Sequence, residues 1–123
     1  MILIDTDVLI EILDKHSDFG KELFEKVITS GERFCTSVIN FHEILYGYFK
    51  YAKSADELLI IKVLDYTKAD ALLSSELEVE IDGRKDFDLR SDAMIAAIAI
   101  NNHCKLLTNN RKDFENFRGI EFF

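Results

Sequence analysis

Three acids stand where a carboxylate can do chemistry. Asp5 ends the apolar run Met1–Ile4 and opens the tripeptide Asp5-Thr6-Asp7. Such a cluster serves as a helix cap, or it presents carboxylates to a ligand beyond a strand end; Asp5 is the sharper case for the second use. Asp92 is followed three, four and seven residues later by Ile95, Ala96 and Ala99, so it shares one helical face with small apolar residues. A carboxylate on an apolar stripe costs free energy unless it is paired or holds a metal. The competing reading is a structural first-turn acid eased by the helix dipole. Glu43 reads differently. Phe41, Leu45, Tyr48 and Ala52 mark the apolar face of its helix, and periodicity points Glu43 nearly opposite, into solvent. His16, His42 and His103 make no metal spacing, and neither do Cys35 and Cys104, which read as reduced core residues. Carboxylates converging at a sheet edge call for Mg²⁺ or Mn²⁺, which prefer oxygen ligands. Phosphodiester hydrolysis is the reaction such a site serves best, through an activated water and neutralised phosphate charge.

Positioning these acids requires strands that alternate with helices. Met1–Asp5, Phe34–Thr36, Lys105–Thr108 and Ile120–Phe122 read as strands, with Ile61–Tyr66 either a strand or a helix end. Helical patterns run over Thr6–Lys15, over Lys21–Ile28 closed by Gly31, from a Ser37 cap to about Tyr51, over Ala69–Val79 and over Leu89–Asn101. A capping box at Ser54–Glu57 predicts another helix, and Arg111–Phe117 a short one; Ile81–Phe87 reads as a charged loop. The alternation implies an α/β fold, a central parallel β-sheet flanked by helices on both faces. In such sheets ligands bind beyond the C-terminal strand ends. That rule gathers Asp5, Thr6 and Asp7 with Thr36, Ser37, Thr108, Asn109 and Asn110.

The chain has 123 residues, 48% hydrophobic and 31% charged, with no proline and no repeat, so residues 1–123 are expected to form a single domain. Its net charge of −8 argues against gripping nucleic acid through a broad basic surface. It permits a metal ion supplying positive charge at a site, or a basic partner covering an acidic face. No apolar run reaches membrane-spanning length and no basic leader precedes Asp5, so a cytoplasmic protein is expected.

Four segments together resemble the PIN-domain family, specifically VapC-type toxin ribonucleases. They are Ile2–Ile10 (ILIDTDVLI), Thr36–Gly47 (TSVINFHEILYG), Asp92–Ala99 (DAMIAAIA) and Leu106–Phe114 (LLTNNRKDF), and they extend the resemblance over nearly the whole chain. The resemblance implies that Asp5, Glu43 and Asp92 are catalytic, metal-binding acids, overriding the exposed reading of Glu43. It makes Thr6 and Thr108 polar supports. Two positions depart from the pattern. Asp7 stands where the family usually has Asn, and Asn110 where many members have a fourth acid, leaving Asp113 as the nearest spare carboxylate. The resemblance further implies an RNA substrate, Mg²⁺ or Mn²⁺, a homodimer, and a VapB-type antitoxin that covers the groove and alone contacts promoter DNA. Arg84, Lys85, Arg90, Arg111 and Lys112 flank the expected site and are candidates for holding RNA phosphates, or are ordinary surface charge. Two other readings stay open: a PIN fold that binds a partner with catalysis lost through Asn110, and a haloacid-dehalogenase-type phosphatase using Asp5 as nucleophile.

Overall fold

The computed structural model describes residues 1–81 and 89–123. Its centre is β1 (Ile2–Ile4), three apolar residues with no more than 1% of their surface exposed. Parallel partners flank it on both sides: β2 (Phe34–Ser37) and β4 (Lys105–Leu107), with Leu3 level with both Cys35 and Leu106. β3 (Val63–Leu64) pairs outside β2, giving the order β3-β2-β1-β4. The chain steps outward from β1 to β2 to β3, then returns to the opposite side of β1. The reversal between β1 and β4 is the switch point at which open parallel sheets form their crevice.

Side-chain alternation along β1 divides the core between two layers of helices. Leu3, with Cys35 and Leu106, faces α4 (Lys68–Glu80) and α5 (Leu89–Asn101). Ile2 and Ile4, with Leu107, face α1 (Thr6–Leu9), α2 (Asp18–Thr29) and α3 (Val38–Lys50). α5 is buried on most sides, and Ala93, Ala96, Ala97 and Ala99 let the sheet and α4 approach it closely. Cys35 and Cys104 are free thiols, both buried, as their apolar surroundings predict. Ser37 caps α3 by accepting from the Asn40 backbone N–H at 3.1 Å. Gly31, at φ +72°, follows α2 in the left-handed conformation that glycine adopts without strain.

Four local expectations change. The Thr6–Lys15 pattern splits into α1 and a five-residue π-helical turn at Ile10–Asp14. Residues 54–57 open no α-helix. Only a 3₁₀ turn, Leu58–Ile60, follows them, because the chain must extend at once to reach β2, where the Thr36 N–H donates to the Lys62 carbonyl. The capping box that operates is Thr67–Asp70, at the start of α4. Arg111–Phe117 is helical only as a 3₁₀ turn at Arg111–Asp113, and Ile120–Phe122 contributes one bridge, Leu106 to Phe122, in place of a full strand.

Candidate active site

β1 leaves the sheet at Asp5, whose backbone N–H still donates to the Leu107 carbonyl of β4 at 2.9 Å. The Asp5 backbone is extended and its side chain caps α1, so the carboxylate is trapped at the strand end, 8% exposed. Its Oδ1 accepts from the Thr6 N–H at 2.9 Å and from Asn40 Nδ2 at 2.7 Å. Its Oδ2 accepts from Thr108 Oγ1 at 2.7 Å. Thr108 follows β4, next to β1, so this last bond spans the switch point. Burial pushes the Asp5 carboxyl above the ordinary carboxylate range, against the three bonds that favour its charged form.

Asn40 is the residue sequence reasoning missed. It is wholly buried, and its side-chain N–H groups go to Asp5 and, at 2.9 Å, to Thr6 Oγ1. Its Oδ1 accepts from Ser37 Oγ at 2.6 Å, and Thr6 Oγ1 in turn donates to Glu43 Oε2 at 3.2 Å. One amide thereby ties two carboxylates that lie 38 residues apart in sequence. The apolar face expected for α3 is rotated: its buried stripe is Asn40, Ile44 and Tyr48. Glu43 lies beside that stripe, one turn from Asn40. It is exposed as periodicity predicted, yet it borders the site instead of facing away. The available signal was a polar Asn three residues after a Ser cap, on the side of the helix that the fold buries.

The acids surround a cavity of about 250 Å³ lined by Asp5, Thr6, Asp7, Glu43, Asp92, Asn110 and Asp113 among polar groups, with Ile10, Ile95 and Phe114 as its apolar walls. Asp92 enters from the first turn of α5, half-buried. Asp7 accepts from its neighbour Val8 N–H at 2.7 Å and, through Oδ2, from the Asn109 N–H at 3.0 Å. It pins the loop after β4 to the turn after β1. Burial and then the adjacent Asp5 charge raise the Asp7 pKa to about 6. The loop is further shaped by Thr108 Oγ1, which accepts from the Asn110 N–H at 3.0 Å. Asp113, although exposed, is close enough to Asp5 for its charge to act there.

The cations are distributed unevenly. Arg84 and Lys85 fall outside the described residues. Arg90 is exposed and paired with Glu78 of α4 at 3.1 Å; it directly precedes the lining residues Ser91 and Asp92 without lining the cavity itself. Arg111 and Lys112 line a neighbouring cavity that shares Asn110 and Asp113 with the first. The Arg111 guanidinium also donates to the Phe123 carbonyl at 2.7 Å and lies over the Phe122 ring.

Among the described residues, no three His, Cys, Asp or Glu side chains stand close enough together to hold an ion as arranged. The donor chemistry nonetheless fits a hard divalent cation. Among the described residues the lining ligands are oxygens, with no Lys, Arg or His, and burial penalises the bare Asp5 and Asp7 charges.

The fold has close structural counterparts. A chain of VapBC2 from Rickettsia felis, bound to a DNA fragment from its promoter, superposes with a TM-score of 0.81 at 23% identity, covering 100% of this chain and 98% of that one. DNA-bound VapBC from Salmonella typhimurium gives 0.74 at 27% identity, with coverage of 100% and 98%. FitAcB from Neisseria gonorrhoeae gives 0.80 at 18% identity, with coverage of 100% and 97%. No curated protein matches the sequence. The sequence pattern of the PIN domain matches residues 2–120, which removes the dehalogenase reading: the chain belongs to the PIN domain family.

Proposed function

We propose that this chain is a VapC-type toxin, a metal-dependent endoribonuclease in which Asp5, Glu43 and Asp92 hold Mg²⁺ or Mn²⁺ and hydrolyse RNA phosphodiester bonds. The observation that carries the reading is the cavity at the switch point: among the described residues its lining has five carboxylates and no cationic side chain. A phosphodiester is itself an anion, and these acids alone would repel it. When bound, the divalent ion neutralises phosphate charge and activates the attacking water. The protein's own groups do the positioning. Thr108 and Asn40 hold the two oxygens of Asp5, and Thr6 orients Glu43. Asp92 adds charge from the helix opposite, and Asn110 and Asp113 close the side toward Arg111 and Lys112, which in this reading supply positive charge for RNA phosphates.

Cleavage of single-stranded RNA should require Mg²⁺ or Mn²⁺, stop in excess chelator, and be lost in Asp5→Asn. Calorimetric titration of Mn²⁺ should show weaker binding in the same variant. Full activity in chelator would refute the mechanism. Asn110 favours one second reading, a PIN fold that binds RNA without cutting it, because it replaces a charge with a neutral amide in the lining. That reading predicts RNA binding without cleavage in the parent and cleavage gained in Asn110→Asp.

The regulatory part of the proposal is a homodimer, acting in the cytoplasm, neutralised by a VapB-type antitoxin through which alone promoter DNA is bound. The structural counterparts are VapBC and FitAB assemblies, and the net charge of −8 leaves DNA binding to a partner. Co-expression with such an antitoxin should yield a complex that binds DNA and no longer cleaves RNA. A free toxin that binds the same DNA by itself would contradict this division of labour.

A further inference from the structure

A second cavity of about 160 Å³ opens directly beside the acids and shares Ile10 and Glu43 with the first. From there it runs along the C-terminal half of α3, past Gly47, to Tyr51 and Lys53. Two features of its lining call for an explanation. Gly47 sits in the interior of α3, where glycine weakens a helix relative to alanine. Neither packing nor backbone requires it there: a Cβ at position 47 would meet nothing within 4 Å, and Gly47 is not among the glycines with positive φ. What glycine does leave is a bare stretch of helix backbone as the floor of the cavity. The second feature is Tyr51, which is 68% exposed at the end of α3 although it is a large aromatic side chain. Lys50 Nζ lies 5.8 Å from its ring centroid.

Charge decides what the cavity can take. Among the described residues, Asp14 and Glu43 line it with one cation, Lys53, and Lys53 is paired with Asp14. A phosphate is therefore disfavoured, whereas a flat, neutral group is not. We propose that this cavity is a nucleobase subsite: a base adjacent to the scissile phosphate of single-stranded RNA stacks on Tyr51 above the bare floor at Gly47. The inference rests on the RNA-cleavage reading. Stacking on an aromatic ring tolerates any base, so the subsite orients the strand without reading its sequence. Together with the Arg111 and Lys112 side of the acid cavity, it gives the strand a track with a base-binding end and a phosphate-binding end.

The test uses hexaribonucleotides with 2-aminopurine at each position in turn, mixed rapidly with the intact protein in Mg²⁺. One position should be quenched in the parent. Tyr51→Ala should lose that quench and raise KM about five- to a hundredfold, the range that loss of one stacked base produces, and Tyr51→Trp should restore both. Gly47→Leu should melt at or above the parent and lose the same signal, which separates a filled cavity from a damaged fold. An abasic nucleotide at the quenched position should bind the parent and Tyr51→Ala alike. The subsite is refuted if the parent cleaves RNA while Tyr51→Ala matches it on every probe. It is equally refuted if both variants change the sedimentation mass without a position-specific effect, since a second copy of the chain would then cover this face. A parent that neither binds nor cleaves RNA in Mg²⁺ overturns the functional reading, and the subsite with it.

Discussion

Replacing Asp7 by asparagine tests whether the metal-free site is under electrostatic strain. In the folded protein the Asp7 carboxyl titrates near 6, against 3.8 for an ordinary aspartate. The folded state therefore holds the proton more tightly than the unfolded chain. The sign follows: Asp7 costs nothing below pH 4, and its penalty grows as pH rises through 6. That difference in pKa corresponds to a ceiling of about 3 kcal/mol at neutral pH. Partial exposure of Asp7 screens this to about 1–2 kcal/mol. Asparagine removes that penalty, and with its one side-chain oxygen it resembles the protonated carboxyl, which likewise keeps one good acceptor for the N–H groups of Val8 and Asn109. Asp7→Asn should thus match the parent near pH 4 and be the more stable of the two at pH 7.5, with the gap opening between. Urea denaturation in chelator across that range measures it, and the swing should be about 1–2 kcal/mol. A gap that stays constant with pH would refute the argument, because it would mean that the Asp7 charge carries no cost in the folded protein.

Asp92→Asn should also melt higher than the parent in chelator, by an amount that about 1 kcal/mol produces, and Mg²⁺ should stabilise the parent far more than the variant; paired melting curves decide it, and a lower melt indifferent to Mg²⁺ would make Asp92 a structural first-turn acid. Asn40→Asp sets a second carboxylate 2.7 Å from Asp5 Oδ1 in a buried site. It should cost about 2–4 kcal/mol at pH 7, recovered toward pH 4 as the pair shares a proton, which chemical denaturation at the two pH values will show. Gly20→Ala would place a Cβ 2.4 Å from the Glu11 carbonyl oxygen, a backbone atom that cannot swing aside. It should lower Tm by more than 10 °C, corresponding to a loss of about 3 kcal/mol or more, while a Gly31 replacement, strained only by its positive φ, should cost less.

Local pattern was enough to locate part of this site. An apolar run ending in an acid identified Asp5 at a strand end, because burial of a short strand and the preference of its terminus for a polar cap are both local. The same holds for Asp92, whose helical neighbours are small and apolar whichever way the helix packs. The parallel sheet followed from strands separated by helices, since parallel neighbours need a crossover between them. Glu43 was legible only through family resemblance. Its place depends on which side of α3 meets the sheet, and that is set by Ile44 and Tyr48 finding the core beneath β1, not by the spacing of Phe41 and Leu45. Asn40 left only a faint trace, a polar residue three positions after a Ser cap. A polar residue inside a helix looks like surface until the fold brings Asp5, 35 residues earlier, within hydrogen-bonding distance of its amide. The failed capping box at Ser54 and the working one at Thr67 make the same point for secondary structure, since only the pull of β3 toward β2 distinguishes them. Sequence by itself determined the elements and the acids at their ends, because these follow from short-range burial and capping. Tertiary structure decided which side chains hold those acids, because a hydrogen bond between elements exists only once long-range packing has set both ends.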